Sequence, residues 1–319
     1  MHTDHLHQPS IARRSLVRLA GAAALAGARP GGARAEAAIE DLMPDFWTVY
    51  DRAGTGSAVE RGRAIAQDFF TPHVEAYRRA GIGRVDLARW LAGFDPMAAA
   101  VRRFSARFPA LWQAHLARFR QALPDAAADT PVTLLPSFDW FDARTRLAGE
   151  RVGLFVGPDT MVRLHGPDAD PGILLDHESF HLYHFQVNPG LVFPAGAPLW
   201  SGIWIEGLAM HASAVLNPDA PRLRVLLDDP DLAAIGSEVI ARVAAELPPR
   251  LGLTDGAVRA RYLGYGYRGD IPARSGYALG LAIAARAAAG GRDLAALARL
   301  PAAEAEALVR REVAALAAG

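Results

Sequence analysis

Ile173-Leu174-Leu175-Asp176-His177-Glu178-Ser179-Phe180-His181-Leu182-Tyr183-His184-Phe185-Gln186-Val187 is the stretch on which both fold and chemistry turn. No proline or glycine interrupts it, and uncharged residues fill both variable positions of the H-E-x-x-H at its centre. On a helix, residues four apart lie one above the other on the same face, so His177 and His181 can bind one metal ion. Glu178 then stands beside them, within reach of a water on that ion. Composition alone yields the motif ~0.01 times in such a chain, so the letters are suggestive rather than decisive. The competing reading is a core helix whose two histidines are satisfied internally.

A catalytic zinc keeps three protein ligands and one position for water. Cysteine is absent from the chain. A metzincin-type third histidine is absent as well, because the position six after His181 is Val187. His184 shares the helical face of His177, but three residues stacked on a straight helix cannot surround a tetrahedral ion. His184 is therefore expected just behind the ligands or at the rim of the site. Glu206 is the better third ligand. It lies in Trp204-Ile205-Glu206-Gly207-Leu208-Ala209, on a helical pattern from Ser201 to Val215 that follows a Pro/Gly-rich connection. A carboxylate among Ile203, Trp204, Ile205 and Leu208 is costly unless it meets a cation, and an antiparallel neighbouring helix would bring it to the open side of the imidazole pair.

H-E-x-x-H followed by a helix with W-x-E-G-L-A resembles the gluzincin clan of zinc peptidases. More closely, it resembles a bacterial family of predicted zinc-dependent proteases. That family runs through a short sheet, the H-E-x-x-H helix, an E-G-L-A helix and a P-x-R-x-G-Y-x-x-G segment, matched by Pro272-Ala273-Arg274-Ser275-Gly276-Tyr277-Ala278-Leu279-Gly280. The resemblance spans roughly residues 131–288. It implies a zincin-like catalytic region, Zn2+ on His177, His181 and Glu206, and Glu178 as the base that takes a proton from water and delivers it to the leaving amine. It also implies Tyr277 as donor to the developing oxyanion, with Arg274 able to bind a substrate carboxylate or carbonyl. His211 is a competing donor, and Tyr265 and Tyr267 are candidates to line the cleft. Several gluzincins carry an acid four residues after the ligand glutamate to orient a metal-bound histidine. Met210 stands there in this chain, which leaves Asp176 or Asp139 as substitutes.

Outward from this centre the chain reads as α+β and predominantly helical. Residues 36–128 form an N-terminal helical region, with apolar residues at three- and four-residue spacing from Ala37 to about Leu123. Residues 129–319 form the zincin-like region with C-terminal helices. Val132 to Leu135 and Val152 to Val156 read as strands, and Met161 to His165 as an edge strand that could hold an extended peptide by strand addition. Helices resume after Pro171.

Every one of the 34 basic residues is arginine. Without lysine there is no Schiff base and no phosphate-binding P-loop lysine; without cysteine there is no thiolate catalysis or iron–sulfur cluster. At the N-terminus, Arg13-Arg14 precede a weakly apolar Leu19–Ala28 run and then Ala33-Arg34-Ala35. Residues 1–35 resemble a bacterial twin-arginine signal, which implies export to the periplasm or medium. That segment carries five of the 34 arginines but one of the 34 acids, so the rest of the chain is net acidic by about four, against a nucleic-acid partner. No later run is long and apolar enough to span a membrane. The expected protein is an exported zinc peptidase acting on a peptide or protein. The alternatives are a zinc hydrolase of non-peptide amides and a non-catalytic zinc-binding or interaction module.

Overall fold

The sheet is small and mixed. In the computed structural model, which describes residues 39–148, 151–191 and 196–319, β1 (Ile39–Asp41), β2 (Val132–Leu134), β3 (Ala143–Ala148) and β4 (Arg151–Val156) lie in the order β1-β2-β4-β3. β1 pairs parallel with β2 through Ile39 and Val132, and β2 pairs parallel with β4 through Val132 and Leu154. β3 pairs antiparallel with β4, from Ala143 opposite Val156 to Ala148 opposite Arg151. β3 is therefore an edge, with unpaired backbone groups along its outer side.

Helices α1 (Met43–Ala53), α2 (Ala58–Ile65), α3 (Val74–Ala80), α4 (Leu87–Phe94) and the long α5 (Ala98–Ala122) connect β1 to β2. They do not form a separate lobe. Phe46, Phe69, Tyr77, Trp90 and Phe94 share one buried cluster with Leu134, Phe138 and Leu154 of the sheet region, and the described residues form one compact unit. The resemblance stops at residue 131, but the packing does not. Ile39–Asp41, read as helical, is a strand: three residues are too few to show any period. The twin-arginine reading of residues 1–35 falls outside the described residues.

Met161 to His165 is not a strand. Pro158–His165 is helix α6, with Pro158 in its first turn after Gly157. Of its apolar residues, Pro158, Met161 and Val162 are buried and Leu164 is exposed, which follows the i, i+3, i+4 spacing of a helix, and proline at the first helical position pre-sets φ. A Cβ on Gly157 would lie 2.4 Å from the Phe141 carbonyl oxygen, so the chain enters α6 only through glycine. The cleft-side edge is β3 instead, whose Arg144 and Arg146 gave no apolar alternation to read.

Helix α7 (Gly172–Val187) carries H-E-x-x-H and is buried on nearly all sides from Leu174 to Phe185. It packs on β3 and β4 and against α5 and α8 (Leu199–Leu216). Short helices α9 (Arg222–Val225), α10 (Pro230–Ala233), α11 (Ser237–Glu246) and α12 (Gly256–Leu263) lead to α13 (Ser275–Ala289), α14 (Leu294–Ala298) and α15 (Ala302–Ala318). Among the described residues no helix is long and apolar enough to cross a membrane.

Helices α8 and α13 touch backbone to backbone. A Cβ on Gly207 would lie 2.1 Å from the Gly280 carbonyl carbon, and one on Gly280 would lie 2.2 Å from the Ile203 carbonyl oxygen. The glycines of E-G-L-A and G-Y-x-x-G are thus two halves of one contact. Gly207→Ala gains about 1 kcal/mol of helix propensity but must push α13 away, so we expect a net destabilisation of about 1–3 kcal/mol. Thermal unfolding checks this; an unchanged or raised Tm would show that the helices separate freely.

Candidate metal centre

His177 and His181 project from one face of α7, with rings 4.6 Å apart at 88°. Their Nε2 atoms lie 3.0 Å from each other. α8 delivers Glu206 to the open side of this pair: its Oε2 is 3.5 Å from His177 Nε2 and 3.4 Å from His181 Nε2. Four-coordinate zinc with bonds of about 2.0–2.1 Å sets neighbouring ligand atoms about 3.4 Å apart. Two nitrogens and one oxygen converging at that spacing fit such an ion, and among the described residues they form a three-donor group of metal-binding type. Burial opposes the Glu206 charge, but the imidazoles of His181 and His177 outweigh it and hold its pKa below the usual carboxylate range. Burial likewise opposes charge on His181, and Glu206 outweighs it, raising that pKa.

Glu178 is 8% exposed, and its Oε2 has no hydrogen-bond partner. The Glu178 backbone carbonyl accepts from Thr145 Oγ1 at 3.1 Å, which ties α7 to edge strand β3. A cleft of about 620 Å³ opens over these groups, lined by His177, Glu178, His181 and Glu206 together with Tyr265, Arg274 and Tyr277. The Tyr277 hydroxyl is kept protonated: burial raises its pKa well above the ordinary value, and Glu206 adds to the effect.

Arg274 is 2% exposed and sits in a left-handed conformation, φ 55°, before α13. Its guanidinium pairs with Asp229 and lies 3.8 Å from the Tyr265 ring centroid and 5.3 Å from that of Tyr277. Burial opposes the Asp229 charge, and Arg274 with the α10 backbone N–H groups more than offsets this, lowering its pKa. The Arg274 charge is thus answered within the protein. Asp229 escaped the sequence reading. Asp229-Pro230 signals a helix start, but nothing local points to an arginine 45 residues away.

Other candidates lie elsewhere. Tyr267 is outside the cleft, its hydroxyl accepting from Arg261 and donating to Asp270. His211 is buried on α8 and does not line the cleft; burial lowers its pKa. His184 is not at the rim. It is fully buried with neither ring nitrogen hydrogen-bonded, and burial, helped by His181, pulls its pKa down to about 3. Its face-sharing with His177 on the helix was real, but that face continues into core between Phe180 and Phe185.

Neither proposed orienting acid touches the metal-facing histidines. Asp139 pairs with Arg163 at 2.8 Å. Asp176 accepts from Arg118 and Asn217, each at 2.7 Å, on the far side of α7. There His115 shares a 2.8 Å hydrogen bond with Ser179, joining α5 to α7. Burial, then Arg118, pulls His115 down to about 3, so it serves this clamp as a neutral ring.

Comparison with models of known protein families, with characterised proteins and with solved structures finds no match to this chain.

Proposed function

We propose that this chain is an exported zinc-dependent peptidase. The observation that carries the reading is the convergence of His177 Nε2, His181 Nε2 and Glu206 Oε2 beside the unpartnered carboxylate oxygen of Glu178, in one cleft. Two imidazoles and one carboxylate suit zinc better than calcium or magnesium, which favour all-oxygen shells. Held there, zinc supplies Lewis acidity, acidifying water and polarising a carbonyl.

The remaining work falls to side chains. Glu178 takes the proton of the attacking water and passes it to the leaving amine. Tyr277, held neutral, donates its hydroxyl hydrogen to the oxyanion as it develops. Arg274 positions Tyr277 and Tyr265 through its two ring contacts and is itself fixed by Asp229. Edge strand β3 begins at Ala143, Arg144 and Thr145, which line the cleft. Its free backbone groups suit an extended peptide better than a small amide.

The test uses the purified full-length chain. We expect one zinc per chain, cleavage of casein, loss of cleavage on chelation and recovery on zinc addition. A chain that binds one zinc tightly yet leaves casein and short peptides intact would refute the peptidase reading in favour of a binding module.

A further inference from the structure

His165 ends α6 and is enclosed, with its side chain 6% exposed. Its two ring nitrogens face two carboxylates from distant parts of the chain. Nδ1 is 2.8 Å from Asp228 Oδ2, and Nε2 is 2.9 Å from Asp142 Oδ2. A neutral imidazole has one N–H and one lone pair, so it can satisfy one carboxylate only by turning a lone pair on the other. Only the imidazolium donates to both. Asp228 Oδ2 also accepts from Arg224 and Asp142 Oδ1 from the Ala143 N–H, and an imidazole is more basic than a carboxylate, so the bridging proton belongs to the ring. A cation at the C-terminus of α6 is further favoured by the helix dipole.

The two carboxylates come from two separate chain segments that border the cleft. Asp142 lines it and immediately precedes β3. Asp228 follows the cleft residue Leu227 and precedes Asp229, the partner of Arg274 beneath Tyr265 and Tyr277. Both segments turn through left-handed non-glycine residues, Phe138 and Asp139 at φ 54° and 68° in one, Leu227 and Asp228 at 59° and 57° in the other. Such conformations persist where surrounding contacts over-determine them.

We propose that protonated His165 is a positioning residue that locks the edge-strand wall to the Tyr277 wall, and that losing its proton loosens the cleft. As a device acting on peptide binding, this rests on the peptidase reading. The charged groups facing His165 are Asp142 before β3, Asp228 after α9, Arg224 on α9 and Asp170 before α7. Burial lowers the His165 pKa, and Asp142 and Asp228 more than reverse this, leaving it raised. The folded-state value is the higher one. The lock is therefore complete below the unfolded histidine value of about 6.5 and is lost as pH rises through the folded value.

Ring NMR of the histidine-labelled full-length chain reads the lock whether or not the protein hydrolyses anything. We expect two ring N–H protons on His165 near neutral pH, a midpoint above about 6.5, and Ala143 and Leu227 amide shifts that follow the same midpoint. A ring titrating below that value, or wall amides that ignore it, would overturn the proposal. The second measurement is calorimetric binding of a casein-derived peptide to the zinc-loaded Glu178→Gln chain. His165→Gln should weaken it about tenfold and flatten its pH dependence. His165→Arg, charged throughout, should preserve at alkaline pH the affinity otherwise seen only near neutrality. Unchanged affinity and pH dependence in His165→Gln would overturn the positioning role. Absence of any peptide cleavage by the parent chain, with the ring and wall amides titrating together, would remove the peptidase reading and leave the lock standing.

Discussion

Glu178→Gln is expected to retain one zinc per chain and to lose hydrolysis by about 10²–10⁴-fold, the usual worth of a positioned general base. The substitution is nearly isosteric. It keeps the side-chain shape beside His177, His181 and Glu206, whose donor atoms converge on one another. It also leaves the Thr145 bond in place, since that bond ends on the Glu178 backbone. The amide removes the ability to accept a proton together with the carboxylate charge that acts on His181 and Tyr277. Zinc content and kcat/KM on one peptide therefore separate the two roles. A variant that binds zinc and turns over within a factor of about three of the parent would mean that the base is another group.

Replacing Glu206 by alanine should act on the ion instead. Two imidazoles remain, and we expect zinc affinity to fall by more than the about 10–100-fold seen when a ligand's supporting partner is lost. Stability gives an independent reading. Zinc at 100 times its Kd should stabilise the parent by about 2.7 kcal/mol, which for a chain of this size raises Tm by about 4–5 °C. Glu206→Ala should show almost none of that rise. An equal rise in parent and variant would place the zinc elsewhere and dissolve the candidate centre.

The centre was legible because local rules determine it. His177 and His181 follow from helical spacing, and Glu206 from the cost of a carboxylate among Ile203, Trp204, Ile205 and Leu208. What was not legible depends on partners far along the chain. Arg274 looked available for substrate until Asp229 was seen against it. His165 passed as the end of a strand, although its chemistry lies in Asp142 and Asp228, 23 and 63 residues away. Asp176 looked like a neighbour of His177 because it precedes it, but successive helical residues point about 100° apart, and Asp176 turns to Arg118 and Asn217. Helix α6 carries its own local signal. Met161-Val162-Arg163-Leu164 fits a strand or a helix, and Gly157-Pro158 was the deciding signal.

The glycine crossing of α8 and α13 governs how the molecule can breathe. Where helices meet through side chains, rotamer changes absorb a small slide. At Gly207 and Gly280 there are no side chains to adjust, so the two helices move as a single rail, with Glu206 beside the crossing on α8 and Tyr277 one turn before it on α13. For the proposed peptidase, making room for an extended chain then falls to the sheet side of the cleft, while Glu206 and Tyr277 keep their spacing.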